Sequence, residues 1–286
     1  MNSNIKKIFR SPVGLLSIII ITVYTFLAIY GECVYRYNQV KDQTPGYMQT
    51  NLDNIYQHPS YKIGNGFLGT DGLGRDVFSR IIQGTRIAFH VGVITSLIAI
   101  PIGVLLGCLG GYYGGKTDTI VVWLYSSVSA MPGLLFILAI SMVVGKGLLG
   151  IYVGIGFTTW VGVCRYIRAE VIKHKSRQYV KAAQALGYSN TRILFRHILP
   201  NISHIIIIVF SIRFPAAIAT EVFISFIGIG VENEPSWGVM IANARTRLWE
   251  GIWWEMTFVT IAIFLIILAF NLLGDLLRDV FDPRLN

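Results

Sequence analysis

An eight-residue stretch, GGYYGGKT at Gly110–Thr117, has the residue types and spacing of a nucleotide-binding loop. It satisfies the pattern G-x-x-x-x-G-K-[ST], in which backbone amides and a lysine hold phosphate groups. Such a loop must follow a strand and open a soluble helix. Here the match stands between two long uncharged segments. A tight glycine turn between two helices is therefore the better interpretation.

The other residues that perform catalysis or bind metals are scattered along the chain. No histidine pair has the spacing of a metal-binding helix, and no G-x-S-x-G occurs. The cysteines have neither metal-ligand spacing nor a disulfide pattern. The sequence thus predicts no cofactor and no metal in this chain, and no covalent chemistry. The residues concerned are His58, His90, His174, His197 and His204, with Cys33, Cys108 and Cys164.

The composition explains why reactive residues are so sparse. Of 286 residues, 53% are hydrophobic and only 14% are charged, whereas soluble domains have about a quarter of charged residues. The net charge of +9 would suit nucleic-acid binding. The basic residues flank apolar segments, however, and do not form a stripe with interleaved aromatic residues. The composition predicts an all-α membrane protein.

Six segments are long and apolar enough to cross a bilayer, which requires about 20 residues each. The first has no cleavage site after it, so we interpret it as an uncleaved span and not as a secretory signal. Before the second, the helical spacing of Leu73, Val77, Phe78 and Ile81 predicts an amphipathic helix lying at the interface. The predicted spans are Val13–Tyr30, Ile87–Gly115, Thr119–Gly145, Gly147–Cys164, Ile202–Ile224 and Met256–Gly274.

Small residues and prolines punctuate these spans. Glycines four residues apart allow helix backbones to approach closely in lipid. They stand at Gly103, Gly107 and Gly111, and again at Gly150 and Gly154. Prolines inside spans are expected to kink or break the helices, either for packing alone or to let a gate rearrange. They are Pro101, Pro132 and Pro215.

Two ionisable residues interrupt the fifth span. Arg213 is expected near the middle of the bilayer and Glu221 near its outer end. Groups at such depth cost about 2.5–3.5 kcal/mol each on insertion scales and are usually functional. They lie about 12 Å apart along a helix, so they cannot pair within it. Arg213 either faces a polar cavity or is satisfied by another subunit or by backbone.

The segment Arg165–Asn201 fixes the orientation of the chain. It has eight lysines and arginines and one acid, Glu170. Because basic loops stay on the cytoplasmic side, we expect this segment and both termini to be cytoplasmic.

The stretch KAAQALGYSNTRILFRHILPN, Lys181–Asn201, lies within this basic segment. Its small residues start a helix, Gly187 permits a tight turn, and a second helical run follows at Thr191–Ile198. Ile193, Leu194, Phe195 and Ile198 form the apolar face of that run, and Leu199-Pro200 is expected to end it. Two short helices with a small-residue tip suit insertion into a groove on another protein.

This stretch resembles the pattern E-A-A-x-x-x-G-x(9)-I-x-L-P of the permease subunits of bacterial ABC importers. Lys181 stands where the pattern has glutamate, and His197 where it has isoleucine. The matching residues are Ala182, Ala183, Gly187, Leu199 and Pro200.

Further segments resemble the second permease subunit of dipeptide, oligopeptide and nickel importers, in order along the chain from about residue 65. They are LGTDGLGRDVFSRIIQGTR, GGYYGG, MPGLL, SFIGIGV with PSWGVMI, and AFNLLGDLLRDVFDPRL.

The resemblance implies the type I permease fold of ABC importers, with six transmembrane helices and a cytoplasmic coupling helix. It divides the chain into residues 1–64, with the first span and an extracytoplasmic loop, and a permease core at 65–286. The core contains the coupling loop 165–201. The implied location is the bacterial cytoplasmic membrane. The implied coupling residues are Lys181, Ala182, Ala183, Leu186, Gly187, Leu199 and Pro200.

The resemblance also implies partners. These are a homologous second permease, two cytoplasmic ATPases that bind ATP and magnesium, and an extracytoplasmic substrate-binding protein. The solute would be a peptide or a related small solute such as a nickel chelate, and Arg213 and Glu221 become candidates for the translocation pathway.

Two other functions are the alternatives to an importer subunit, a membrane-embedded enzyme and an ion channel. A membrane-embedded enzyme would need clustered acids, histidines or cysteines at one depth. An ion channel would need a pore-lining loop or a ring of charges.

Overall fold

The computed structural model describes residues 11–60, 66–231 and 234–281. The predicted boundary at residue 64 and the basic residues Lys6, Lys7 and Arg10 lie outside these ranges. Short 3₁₀ turns occur at Gly46–Met48, Leu52–Asn54 and Arg245–Glu250. The helices are α1 Pro12–Lys41, α2 Val77–Tyr113, α3 Gly115–Ser129, α4 Gly133–Val144, α5 Leu148–Lys175, α6 Gln178–Ala185, α7 Asn190–Arg192, α8 Leu199–Asn201, α9 Ser203–Phe226, α10 Trp237–Ala244 and α11 Trp254–Phe281.

Among the described residues, five helices are long and apolar enough to cross a membrane: α1, α2, α5, α9 and α11. Helices α3 and α4 pass the same test as a pair, bent by 87° at the break between them, and count as a sixth crossing if the pair is one broken span and not a re-entrant loop. Pro132 is the N-cap of α4. A proline disfavours helical backbone in the residue before it, which explains why the helix stops there. The predicted spans are thus present as five continuous helices and, at the place of the third span, the bent pair α3 and α4.

The other two prolines do not interrupt their helices. Pro101 lies inside α2 and Pro215 inside α9, and both helices continue past them. Several ends also differ from the predicted ones. Helix α1 continues to Lys41 and α5 to Lys175, so residues beyond the apolar runs extend these helices past the predicted spans.

The predicted interfacial helix is not a separate element. Its residues from Val77 onward form the first turns of α2, which Asp76 caps by accepting from the Ser79 amide at 2.8 Å. Arg80 and Gln83 stand between the apolar residues of this stretch, and both side chains are buried. Other parts of the chain supply their partners. Asp71 lies 3.5 Å from Arg80, and the Gly31 carbonyl accepts from Gln83 at 3.1 Å.

Helices α2 and α5 make backbone contact along a row of glycines. A Cβ atom added to Gly103, Gly107 or Gly111 would lie 2.8 Å from an α5 carbonyl oxygen. Gly154 approaches α4 in the same way, since its Cβ would lie 2.9 Å from the Ile137 carbonyl oxygen. The predicted role of these glycines in close packing is therefore confirmed. The carbonyls that face the three α2 glycines belong to Trp160, Cys164 and Arg168.

Replacing Gly107 by alanine tests this contact. The new methyl group would meet the Cys164 carbonyl oxygen at 2.8 Å, and backbone cannot rotate away as a side chain can. We expect a loss of about 1–3 kcal/mol. The matched control is Gly162→Ala on α5, where nothing lies within 4 Å of the added Cβ. Helix propensity should make the control neutral or more stable.

Thermal unfolding of the purified protein in detergent measures the difference. Gly107→Ala should lower the melting temperature by several degrees relative to Gly162→Ala. Equal melting temperatures for the two variants would contradict backbone contact at this position.

Candidate functional site: the helical knuckle and the Arg213 cavity

Residues 176–202 form a helical knuckle that joins α5 to α9. Its first helix, α6, ends in a Schellman motif. The Tyr188 amide donates to the Ala183 carbonyl at 3.2 Å, and the Gly187 amide donates to the Gln184 carbonyl at 3.0 Å. Gly187 has a φ of +77°, which glycine adopts at little cost. The turn predicted at Gly187 is thus present.

The second half of the knuckle is more continuous than the sequence predicted. Ser189 caps α7, a π-helical turn follows at Ile193–Ile198, and α8 continues directly from it. Leu199-Pro200 was expected to end the helix, but Pro200 lies in the first turn of α8. The preceding turn is wide, and the Leu199 amide donates to the Leu194 carbonyl. A proline at such a position removes no hydrogen bond that the helix requires, so the helical path continues.

The base of the knuckle is anchored in the protein core. Three of the four residues predicted as its apolar face are fully buried, whereas Phe195 is 45% exposed. The buried side chains pack against α2 and α5. The cluster includes Ile193, Leu194, Ile198, Ile202, Val180 and Ala183 from the knuckle, Val163, Ile167 and Val171 from α5, Cys108 and Tyr112 from α2, and Val209 from α9.

The tip of the knuckle is exposed. Leu186, at its apex, is 72% exposed although it is a large apolar residue. The predicted coupling residues divide between tip and base: Ala183 is buried and Leu199 is half-buried. The exposed ones are Lys181, Ala182, Leu186, Gly187 and Pro200.

Polar contacts tie this region together. The Tyr112 hydroxyl donates to Asn190 Oδ1 at 3.1 Å, joining the end of α2 to the knuckle. Arg168 on α5 holds both carboxylate oxygens of Asp118 on α3, at 2.5 and 2.6 Å. The stretch with the nucleotide-loop pattern forms the turn between α2 and α3. Gly114 and Gly115 make that turn with φ of +70° and +51°.

Arg213 lies beside a cavity of about 300 Å³ between α5, α9 and α11. Its guanidinium donates to both the carbonyl and the hydroxyl oxygen of Thr159. It forms no ion pair with any residue that the structure describes. Its positive charge is therefore hydrogen-bonded but not neutralised. The lining also includes Gly162, Tyr166, Glu170, Ile208 and Arg278.

Glu221 occupies a different place. Its side chain is buried, and Oε1 accepts from the Ser225 hydroxyl at 2.6 Å. The Val231 amide donates to the same hydroxyl at 3.4 Å, so Glu221 fixes the turn that follows α9. It does not line the Arg213 cavity. The structure does not bring Arg213 and Glu221 together.

A buried arginine at the other end of the fold was missed from the sequence. Arg86 on α2 is 3% exposed and pairs with Glu32 on α1 at 3.6 Å and with Glu234 before α10. Its guanidinium also lies 3.8 Å from the centre of the Tyr35 ring. In the sequence Arg86 stands directly before the second predicted span, Ile87–Gly115. The two acids are distant in sequence, so no local spacing indicates the cluster.

A family model described as binding-protein-dependent transport system inner membrane component matches residues 99–286. The chain belongs to this family, the permease subunits of ABC importers. It is 35% identical to the oligopeptide transport system permease protein OppC of Bacillus subtilis, over 97% of this chain and 88% of the relative. It is 40% identical to the dipeptide permease DppC of the same organism, over 77% of this chain and 69% of the relative.

The solved structures agree with this assignment at the level of the fold. A chain of the MetNI methionine ABC transporter, in an inward-facing conformation, matches with a TM-score of 0.53 and 17% identity. The match covers 71% of this chain and 96% of the other. The permease is a multi-pass membrane protein. Members of its family are transport subunits and not enzymes.

The turn at Gly187 gives a prediction about the permease knuckle. An added Cβ would meet no atom within 4 Å, so only the backbone conformation opposes substitution. Gly187→Ala should cost about 1–2 kcal/mol, and Gly187→Asn less, because asparagine tolerates left-handed backbone. Hydrogen exchange of the α6 amides should be faster in the alanine variant than in the asparagine variant. Equal exchange in both variants would show that the turn is not strained.

Proposed function

We propose that this permease imports peptides, or a related small solute such as a nickel chelate, by alternating access. The proposal for the solute rests on relatives named for oligopeptide, dipeptide and glutathione transport. The single observation that carries the proposed coupling is the knuckle, with an exposed tip on a buried base. In this proposal the exposed tip inserts into a groove on an ATPase subunit.

The contacts of the knuckle supply a route for force. The knuckle connects α5 directly to α9, and these two helices carry the cavity that contains Arg213. Because Ile193, Leu194 and Ile198 are fully buried, a push on Leu186 moves the base as a unit. Packed cores respond by shifting as rigid bodies and not by local deformation. The push therefore changes how α5 and α9 lie against each other and opens the cavity to one side or the other.

The proposed complex follows from the same arrangement. This chain pairs with a homologous second permease, and two cytoplasmic ATPases bind ATP and magnesium, so this chain itself holds no cofactor. An extracytoplasmic binding protein delivers the solute. The basic segment Arg165–Asn201 supports a cytoplasmic knuckle and cytoplasmic termini in the bacterial inner membrane.

Arg213 has a specific role in this proposal. Its guanidinium is held by Thr159 on the neighbouring helix and keeps its charge next to the cavity. A free carboxylate of a peptide would be attracted to it. Glu221, a second pathway candidate from the sequence, instead holds the turn after α9 through Ser225.

The coupling proposal is tested by Leu186→Glu. The side chain is 72% exposed, so the substitution should leave the fold intact while placing a charge in the ATPase groove. The matched control is Leu52→Glu, at a leucine that is 70% exposed in the segment between α1 and α2. ATPase activity in material purified through a tag on this chain should fall at least tenfold for Leu186→Glu alone.

The second permease should copurify with both variants. Gly187→Asp, at the same apex, should act as Leu186→Glu does. If ATPase activity still copurifies with the Leu186 variant and remains coupled to transport, the tip is not the coupling contact.

Arg213→Gln tests the cavity. We expect KM for peptides with a free C-terminal carboxylate to rise about tenfold, which corresponds to the loss of one charge-assisted hydrogen bond. KM for the same peptides with an amidated C-terminus should change little. Arg247→Gln, at an exposed arginine between α10 and α11, is the control. Unchanged kinetics for free and amidated peptides would exclude Arg213 from solute recognition.

A further inference from the structure

The bend between α3 and α4 lies beside the middle of α5. Arg165 donates to the Ser129 hydroxyl at 2.9 Å on one side of the bend, and the Ile137 carbonyl lies close to Gly154 on the other. Gly154 and Arg165 lie about 9 and 26 Å along α5 from its start at Leu148, at a rise of 1.5 Å per residue. A bilayer has a hydrocarbon core about 30 Å thick. The bend therefore lies beside the membrane-spanning part of α5, with Ser129 at its cytoplasmic edge, where Arg165 begins the basic segment.

Backbone groups at the bend lack helical partners. The first backbone hydrogen bond of α4 runs from Phe136 to the Pro132 carbonyl at 3.0 Å. The amides of Gly133, Leu134 and Leu135 precede it and have no acceptor within the helix. No side chain among the described residues caps this end. Irregular backbone at membrane depth is tolerated only where other protein covers it or where it lines a water-filled cavity.

The bend exposes small residues and also the large apolar residues Met131, Leu134 and Leu135. Ser126, Ser127, Ser129, Ala130 and Gly133 are all exposed in this chain. The serine hydroxyls make part of this surface polar, which contact with lipid tails does not favour.

Arg165 adds a positive charge to this surface. It is exposed, lies 4.9 Å from the centre of the Tyr125 ring, and has no ion-pair partner among the residues that the structure describes. An arginine buried against a second subunit without an acid would be costly, whereas one facing water is not. The unneutralised charge therefore favours a water-filled space over a protein interface.

An open strip of α5 continues from Arg165 toward the Arg213 cavity. Gly162, one turn before Arg165, lines that cavity, and nothing lies within 4 Å of the position of its missing Cβ. The bend, this strip and the cavity thus form one continuous exposed face.

We propose that the α3–α4 bend forms a wall of the aqueous translocation pathway and that Arg165 makes this wall selective for anionic groups of the solute, such as carboxylates. This inference rests on the proposed transport function. It assigns Arg165 as a specificity-determining residue, in addition to Arg213 on the neighbouring face.

Cysteine labelling of the complete transporter in membrane vesicles tests the proposal. The background is Cys33→Ser, because Cys33 is the exposed cysteine and Cys108 and Cys164 are buried. Ser129→Cys is compared with Leu97→Cys, a 68% exposed apolar position on α2. Two methanethiosulfonates of similar size are used, one with a sulfonate and one with a trimethylammonium group. Ser129→Cys should react at least tenfold faster than Leu97→Cys.

The charge of the reagent reports on Arg165. For Ser129→Cys, the ratio of sulfonate to trimethylammonium rates should fall about tenfold when Arg165→Gln is added, because one nearby charge acts on both reagents with opposite sign. Arg165→Lys keeps the charge and should keep the ratio. If the glutamine variant does not assemble, Arg165→Met removes the charge instead and should lower the ratio equally.

Two results would overturn the proposal. If Ser129→Cys is as unreactive as Leu97→Cys, lipid or the second permease covers the bend. If the rate ratio is the same with and without the charge at position 165, the wall is not electrostatically selective. Neither result depends on which solute is carried. If the cysteines are labelled as expected but the transporter does not carry peptides, the peptide assignment is refuted and the proposal for the wall stands.

Discussion

The backbone contact between α2 and α5 is the constraint on which the rest of the structure depends. Lipid offers no hydrophobic force to join helices, so close van der Waals contact must do so. Gly103, Gly107 and Gly111 allow it, because each faces a carbonyl oxygen of α5 with no room for a side chain. The far end of this pair carries the buried base of the knuckle. The knuckle is thus packed against a helix pair whose backbones are in direct contact.

The two helices joined by the knuckle differ in what they carry. Helix α5 is fixed to α2 by glycines and to α3 by the pair between Arg168 and Asp118. Helix α9 carries Arg213, whose guanidinium reaches across to Thr159 on α5. A carbonyl and a hydroxyl oxygen hold this side chain without neutralising it. Such a contact positions the charge and lets the two helices separate at lower cost than a buried ion pair would.

The opposite end of the fold is held by a different kind of interaction. Arg86 brings together Glu32 on α1 and Glu234 before α10. Trp254 and Trp237 add hydrogen bonds from their indole nitrogens to the carbonyls of Thr70 and Ile81, at 3.0 and 3.2 Å. These contacts join segments that are far apart in sequence. One end of the bundle is thus closed by charges and aromatic rings, while the knuckle end carries an exposed tip.

The sequence by itself determined the class of the protein, the places of its apolar helices, the glycine contacts and the turn at Gly187. Each of these depends on local composition or on the spacing of residues a few positions apart, and both can be read from the sequence. The coupling residues and the pathway residues from the sequence remain predictions, and the structure adds which of them are exposed and which are buried.

Only the tertiary structure decided the rest. Pro132 breaks its helix while Pro101 and Pro215 do not, because neighbouring helices decide whether an interrupted hydrogen-bond ladder is tolerated. Arg80 and Gln83 are buried although both are polar, because Asp71 lies 3.5 Å from Arg80 and the Gly31 carbonyl accepts a hydrogen bond from Gln83. A polar side chain can be buried where it has a hydrogen-bonding or charged partner. Partners that are distant in sequence become neighbours only through folding.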